Sequence, residues 1–228
     1  MPMTEDNEDK ITWEYWTFPN IPIYQTKLPQ NVVDVLWGYI DKAKDVYKKT
    51  NVRFNGDLAG NINTSLHLED EDTWFMRMVL APLAEEYLNR QDAFFQQART
   101  MTHSYNSLRL HKFWVNFQNK HEFNPIHNHG GVLSFVIWMK IPTHYSEQHA
   151  LPLSANSNCK AASNFCFTYS DVLGAHQDYH INMSDVQEGW ILVFPSQLRH
   201  MVYPFYECDD ERVSISGNIC YDSKLYNP

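Results

Sequence analysis

The sequence predicts an α+β protein, mainly β, in which helices near the N-terminus pack outside an antiparallel barrel or sandwich. Three observations predict it. Helical periodicity is confined to residues 29–98. From about residue 104, five segments of strand length alternate or run apolar between polar, Gly- or Pro-containing connectors. No helical pattern of useful length separates these segments, which argues against parallel βαβ units.

The elements follow in order. Residues 1–10, "MPMTEDNEDK", are polar, acidic and without apolar periodicity, as expected of a disordered N-terminus. Residues 11–228 contain no internal repeat and no low-complexity linker, so they read as one domain. "ITWEYWTFPNIPIYQTKL" (11–28) reads as one or two short strands joined by turns, and its aromatic "WEYWTF" suits a homodimer interface as well as a core. A helix is predicted over 29–49, where Val33, Leu36, Ile40, Ala43 and Tyr47 form one stripe and Asn31 is the candidate N-cap. Residues 56–70 are loop-like. Helical periodicity returns over 72–98, broken or kinked near Pro82. Strands are expected over 106–118, 131–142, 163–170, 189–196 and 212–221, with 143–188 as a variable insertion that shapes the mouth of the barrel.

Composition narrows the function classes. A chain of 228 residues, 43% of them apolar, is long enough for one substantial core. A net charge of −9 with no run of basic residues argues against a nucleic-acid surface, which needs clustered Lys and Arg. No apolar stretch approaches the roughly 20 residues needed to span a bilayer, so no membrane partner is expected, and the N-terminus lacks a secretion-signal pattern. Cys159, Cys166, Cys208 and Cys220 show no C-x-x-C spacing and read as reduced thiols of a cytoplasmic protein.

Three short segments carry the chemistry. In "FNPIHNHGGVLSFVIWMKIP" (123–142), His127 and His129 point to one face if they enter the strand that continues to Met139, with Asn128 on the other. Two imidazoles converging there suit Fe, Zn or Cu, although a chain with 11 histidines also carries such pairs by chance. In "GWILVFPSQLRHMVYPF" (189–205), His200 follows a strand and a short turn. In "RVSISGN" (212–218), alternation places Arg212, Ser214, Ser216 and Asn218 on one face. A buried Arg beside a Ser is costly unless an anion pairs with it, and a carboxylate matches both groups. Asn116 faces the same way as Trp114 on a strand leading toward the site. Lys140 is a rival anion partner or an exposed lysine, and His176 and His180 read as loop residues at the surface.

In this order and spacing, the three segments resemble the 2-oxoglutarate- and Fe(II)-dependent oxygenases over about residues 104–221. The resemblance implies a double-stranded β-helix core of the jelly-roll, cupin-like kind. It implies His127 as the first iron ligand, His200 as the distal histidine, and Arg212 with Ser214 as the anchor for the far carboxylate of 2-oxoglutarate. Asn116 is then a candidate partner for the cosubstrate carboxylate near iron, or a buried structural amide. "DLAGNI", "NPIHNHGG" and "VFPSQLRHMVYP" look closer still to a group of such oxygenases found in bacteria and tailed phages, which places a phage-encoded chain in the host cytoplasm. The implied activity is a dioxygenase using Fe(II), 2-oxoglutarate and O2. Hydroxylation of a small-molecule or protein side-chain substrate is its default outcome.

His129 departs from the family pattern, which has Asp or Glu there. Three readings stay open. His129 is itself a ligand, or a carboxylate such as Asp178 or Asp185 completes the set, or His129 only lines the pocket. With three neutral imidazoles, ferrous iron and doubly negative 2-oxoglutarate sum to zero charge, and proton competition is expected to weaken binding as pH falls through about 6.5. The rival readings are a cosubstrate-independent three-histidine metalloenzyme, which leaves Arg212 without its anion, and a non-catalytic metal-binding barrel, which needs a fourth protein ligand.

Overall fold

The computed structural model describes residues 21–90 and 108–221. The expected disorder of 1–10, the segment "WEYWTF" and the expected helix over 91–98 therefore lie outside the described residues. Two antiparallel sheets form the body. One runs in the order β1 (Tyr24–Lys27), β8 (Trp190–Pro195), β5 (Leu133–Lys140), β10 (Arg212–Tyr221), β3 (Leu108–Gln118), β2 (Thr64–His67). The other runs β4 (Asn124–His127), β9 (Arg199–Val202), β6 (Phe165–Ser170), β7 (His176–Ile181).

Period-2 alternation in the larger sheet separates two cores. Phe113, Val115, Phe117, Val213 and Ile215 face the helices, where α1 (Gln30–Thr50) lays down Val33, Leu36, Ile40 and Ala43. On β5 and β8 the opposite face is also apolar: Val136, Trp138, Leu192 and Phe194 pack against Phe165 and Phe167 of the smaller sheet. β3 and β10 differ. Their inter-sheet face carries Asn116, Gln118, Arg212, Ser214 and Ser216. Burying one large apolar side chain stabilises by about 1.5–3 kcal/mol, and a polar face at these positions forgoes that, so the stripe marks a candidate site.

Gly217 interrupts the helix-facing side of β10. A Cβ there would lie 2.5 Å from the Phe135 ring and 2.7 Å from the Lys112 carbonyl oxygen. Both belong to strands flanking β10, so neither can retreat cheaply. Gly217→Ala is expected to destabilise by about 1–3 kcal/mol through overpacking, seen as a Tm several degrees lower. An unchanged Tm would show that this contact relaxes freely.

Several local expectations are corrected. Pro29, not Asn31, occupies the N-cap position of α1; no side chain caps the helix, and the Pro29 carbonyl accepts from the N–H groups of Val32 and Val33. The segment before Pro82 is not an α-helix. A 3-10 turn (Glu71–Thr73) leads to a π-helical stretch (Met76–Leu80), and α2 (Ala81–Arg90) follows. Pro82 has no N–H for the Met78 carbonyl and its ring would clash with it, and the wider turn accommodates that. β2 replaces part of the expected loop over 56–70. The 143–188 segment holds the expected strand β6, but also two short helices, α3 (Tyr145–Ala150) and α4 (Pro152–Ala155), and the strand β7, which were not expected. Among the described residues no helix is long and apolar enough to cross a membrane.

Candidate active site

His127 closes β4 and stands directly opposite His200 of β9. His129 lies beyond the strand end, so the pair does not enter the strand that runs to Met139, as its spacing alone suggested. β4 and β5 belong to different sheets, and residues 128–132 carry the chain between them. Gly131 makes that passage with φ +121°, where a Cβ would stand 2.9 Å from the Ile219 carbonyl oxygen. The backbone of His129 is pinned on both sides: its N–H donates to the Ser196 carbonyl at 2.9 Å, and its carbonyl accepts from the Gln197 amide at 3.0 Å.

The three imidazoles converge. Ring centroids are 4.3 Å apart for His127 and His200, 4.9 Å for His127 and His129, and 5.0 Å for His129 and His200. One nitrogen of each lies within 4.8 Å of the others. The Nδ1 atoms of His127 and His200 stand 2.7 Å and 2.9 Å from the carbonyl oxygens of Pro125 and Leu198. A carbonyl only accepts, so each Nδ1 carries the proton and each Nε2 presents a free lone pair, as a metal ligand requires. Phe165 stacks on the His200 ring, and Phe194 meets it edge-on.

Burial keeps the rings neutral. Desolvation first, then repulsion from His127, holds His129 down at about 4 and His200 at about 3, and burial also lowers His127. Proton competition for the folded site therefore sets in below the ordinary histidine range, lower than the sequence alone suggested. Unfolded, the same rings titrate near 6.5. Between these values the unfolded chain binds more protons, so the stability contribution is intact above about pH 6.5 and is lost as pH falls toward 4 and then 3. The Tm of chelator-treated protein is expected to drop between about pH 7 and pH 5, less so in a His129→Gln variant. A flat profile would mean that the rings are solvated.

Arg212 lines the same cavity as the histidines, as do Ser214 and Asn116. Its side chain is among the largest fully buried ones, and burial brings its ordinarily very high pKa down to about 10. One amino group donates to the Ser163 carbonyl at 2.9 Å and to the Ser163 hydroxyl at 2.5 Å, the other to Gln118 Oε1 at 3.4 Å. Phe205 lies against the guanidinium, 5.2 Å from ring centroid to Cζ. All these partners are neutral, Nε has no partner, and among the described residues Arg212 makes no ion pair. A buried charge left this way is strongly unfavourable until an anion joins it. Asn116 accepts from the Ser65 hydroxyl at 2.7 Å, which leaves its amide NH2 as the group it can offer.

The other candidates fall away from the site. Asp178 accepts from Thr168 at 2.7 Å, on the opposite face of β6 and β7 from Phe167. Asp185 is exposed in a 3-10 turn. Among the described residues the histidine group contains no carboxylate. Lys140 is half-exposed and pairs with Asp210 at 3.2 Å. His176 and His180 lie on β7, not in a loop. The sequence reading missed Gln118, Ser163 and Phe205, which hold Arg212. They come from one strand and two separate connections, and no local spacing joins them.

Residues 112–218 match a family model described as "Putative 2OG-Fe(II) oxygenase". No curated protein matches the chain. Among solved structures, the chain is similar to the non-heme alpha-ketoglutarate-dependent carbocyclase SnoK from nogalamycin biosynthesis, with TM-score 0.52, 9% identity, and coverage of 89% of this chain and 80% of that one. The epimerase SnoN of the same biosynthesis gives TM-score 0.51 and 14% identity over 89% and 78%. A prolyl-4-hydroxylase from Pseudomonas putida gives TM-score 0.47 and 15% identity over 88% and 93%. The first two likenesses bear out the expected double-stranded β-helix: the fold is that of 2-oxoglutarate oxygenases.

Proposed function

We propose that this chain is a 2-oxoglutarate- and Fe(II)-dependent oxygenase, as the family model matched over residues 112–218 supports, and that it hydroxylates a small-molecule or protein side-chain substrate with a three-histidine iron site. As such it would be an oxidoreductase that uses Fe(II), 2-oxoglutarate and O2. On this reading His127, His129 and His200 hold the metal, Arg212 and Ser214 hold the far carboxylate of 2-oxoglutarate, and Asn116 offers its amide to the near one. Residues 11–228 then serve as one catalytic domain, with its β-helix core at about 104–221.

The observation that carries the reading is a fully buried Arg212 with only neutral partners, sharing one cavity with three neutral imidazoles. The donor set fits the group: imidazole nitrogens suit ferrous iron, and His127, His129 and His200 would hold it. Bound iron supplies the O2 chemistry that converts 2-oxoglutarate to succinate and CO2 and oxidises a substrate C–H bond. The chain's own part is to bind and to orient. The Pro125 and Leu198 carbonyls fix the tautomers of His127 and His200, and the Ser196 and Gln197 contacts fix the backbone of His129. The aromatic rings around His200 exclude water, which strengthens every charge interaction inside. His127 and His129 are only half-buried while Arg212 is sealed, so substrate approaches from the 127–131 side and the cosubstrate lies inward.

An anaerobic Fe(II) titration tests this. A weak visible charge-transfer band should appear only when Fe(II) and 2-oxoglutarate are both present, and on admitting O2 succinate should form. A site that binds iron tightly but shows no 2-oxoglutarate-dependent band would favour the cosubstrate-independent enzyme instead.

A further inference from the structure

A second group of ligating side chains lies on the far face of the smaller sheet, away from the histidine site. β6 and β7 pair so that Cys166 stands opposite His180 and Thr168 opposite Asp178, all on the face turned away from Phe165 and Phe167. Donor atoms of Cys166, Asp178 and His180 lie within 4.8 Å of one another. Cys159, from the connection before β6, stands outside that mutually close trio but reaches one member of it: its Sγ is 3.7 Å from His180 Nε2, and Cys166 Sγ is 3.9 Å from the same nitrogen. A tetrahedral zinc with bonds of about 2.3 Å to sulfur and about 2.0 Å to nitrogen sets the S···N separation at about 3.5 Å, a few tenths of an ångström below the two observed values.

We infer that Cys159, Cys166, Asp178 and His180 form a second, structural metal site that takes Zn(II). Three of these donors are already gathered, and a small movement of the exposed Cys159 connection would bring in the fourth and close the coordination sphere, which is the pattern of a structural rather than a catalytic zinc. Without a metal the His180 ring is poorly satisfied. Nε2 has only two weak thiol contacts, whereas Nδ1, buried with no partner among the described residues, stays the protonated nitrogen whether or not Nε2 binds metal. Thr168 donates to Asp178 Oδ1 at 2.7 Å, the hydrogen bond that orients a ligating carboxylate. The Tyr203 ring lies beside His180, with centroids 5.8 Å apart. Binding releases the two thiol protons and forms two S–Zn bonds, with no redox change. The site would clip the exposed 156–160 connection onto β6 and β7. β7 is otherwise the edge strand of the sheet whose inner residues wall the His200 ring.

Cobalt(II) reports the site directly, because thiolate ligation gives a near-ultraviolet charge-transfer band that an all-histidine site lacks. The full-length protein, reduced and metal-free, should bind two equivalents of Co(II), one of them with the thiolate band. Cys159→Ser, at an exposed position, should remove that band and leave the other equivalent. His127→Ala should do the reverse. One equivalent of Zn(II) should slow alkylation of Cys159 and Cys166 about tenfold or more. Absence of the thiolate band, its survival in Cys159→Ser, or unchanged alkylation with Zn(II) would overturn the inference. So would a Cys159–Cys166 disulfide in protein prepared with zinc under air. None of these readouts depends on oxygenase turnover, so their failure leaves the proposed function standing, and the reverse also holds.

Discussion

Arg212→Met is expected to raise the KM for 2-oxoglutarate on the order of a hundredfold or more, the size expected when a buried charge pair loses one partner. The fold should survive. Methionine is similar in length and apolar, and it removes a buried guanidinium whose partners in the free protein, Ser163 and Gln118, are all neutral. Replacing a buried charge by a well-packed apolar side chain is often neutral or stabilising, so the variant's Tm should equal or exceed that of the native protein. Two signatures separate cosubstrate binding from a structural role. First, 2-oxoglutarate without metal should raise the native Tm but not that of the variant. Second, Arg212→Lys should recover only part of the affinity, because an ammonium cannot grip a carboxylate with two parallel N–H groups. An unchanged KM in Arg212→Met would sink the assignment.

His129→Ala is expected to weaken Fe(II) binding on the order of a hundredfold, at or above the upper end of what outer-shell changes cost. His129→Asp should restore most of it, because it keeps the ligand count and adds one negative charge. The backbone at 129 is held by Ser196 and Gln197 independently of the side chain, so neither substitution should displace the turn. Trp114 packs edge-on against the His129 ring at 5.7 Å, and the small loss of packing in the alanine variant is a stability effect that the Tm reports separately. Iron affinity in His129→Ala equal to the native value would make His129 a pocket wall, leaving His127 and His200 as the protein's histidine ligands.

How much of this was legible in the sequence depended on how local each feature is. The stripe Val33, Leu36, Ile40, Ala43 identified α1, because a helix face is written at three- and four-residue steps. Five strands were legible because their runs are long enough to alternate. β2, β4 and β9, of four residues each, and the mostly exposed β7 were not, because such strands exist only through their partners.

By itself the sequence determined the fold class, the order His127, His129, His200, Arg212, Ser214, and the polar face of β10. Each is a matter of residue type at short spacing. Only the tertiary structure decided that His129 stands in a turn and not on the strand to Met139, that no described carboxylate joins the histidines, and that Arg212 is sealed among neutral partners. It alone brought Cys159, 21 residues away in the chain, to His180. The physical reason is the same in every case. Strand order places residues from distant segments side by side, and burial then sets their charge, and neither property is carried by neighbours in the chain.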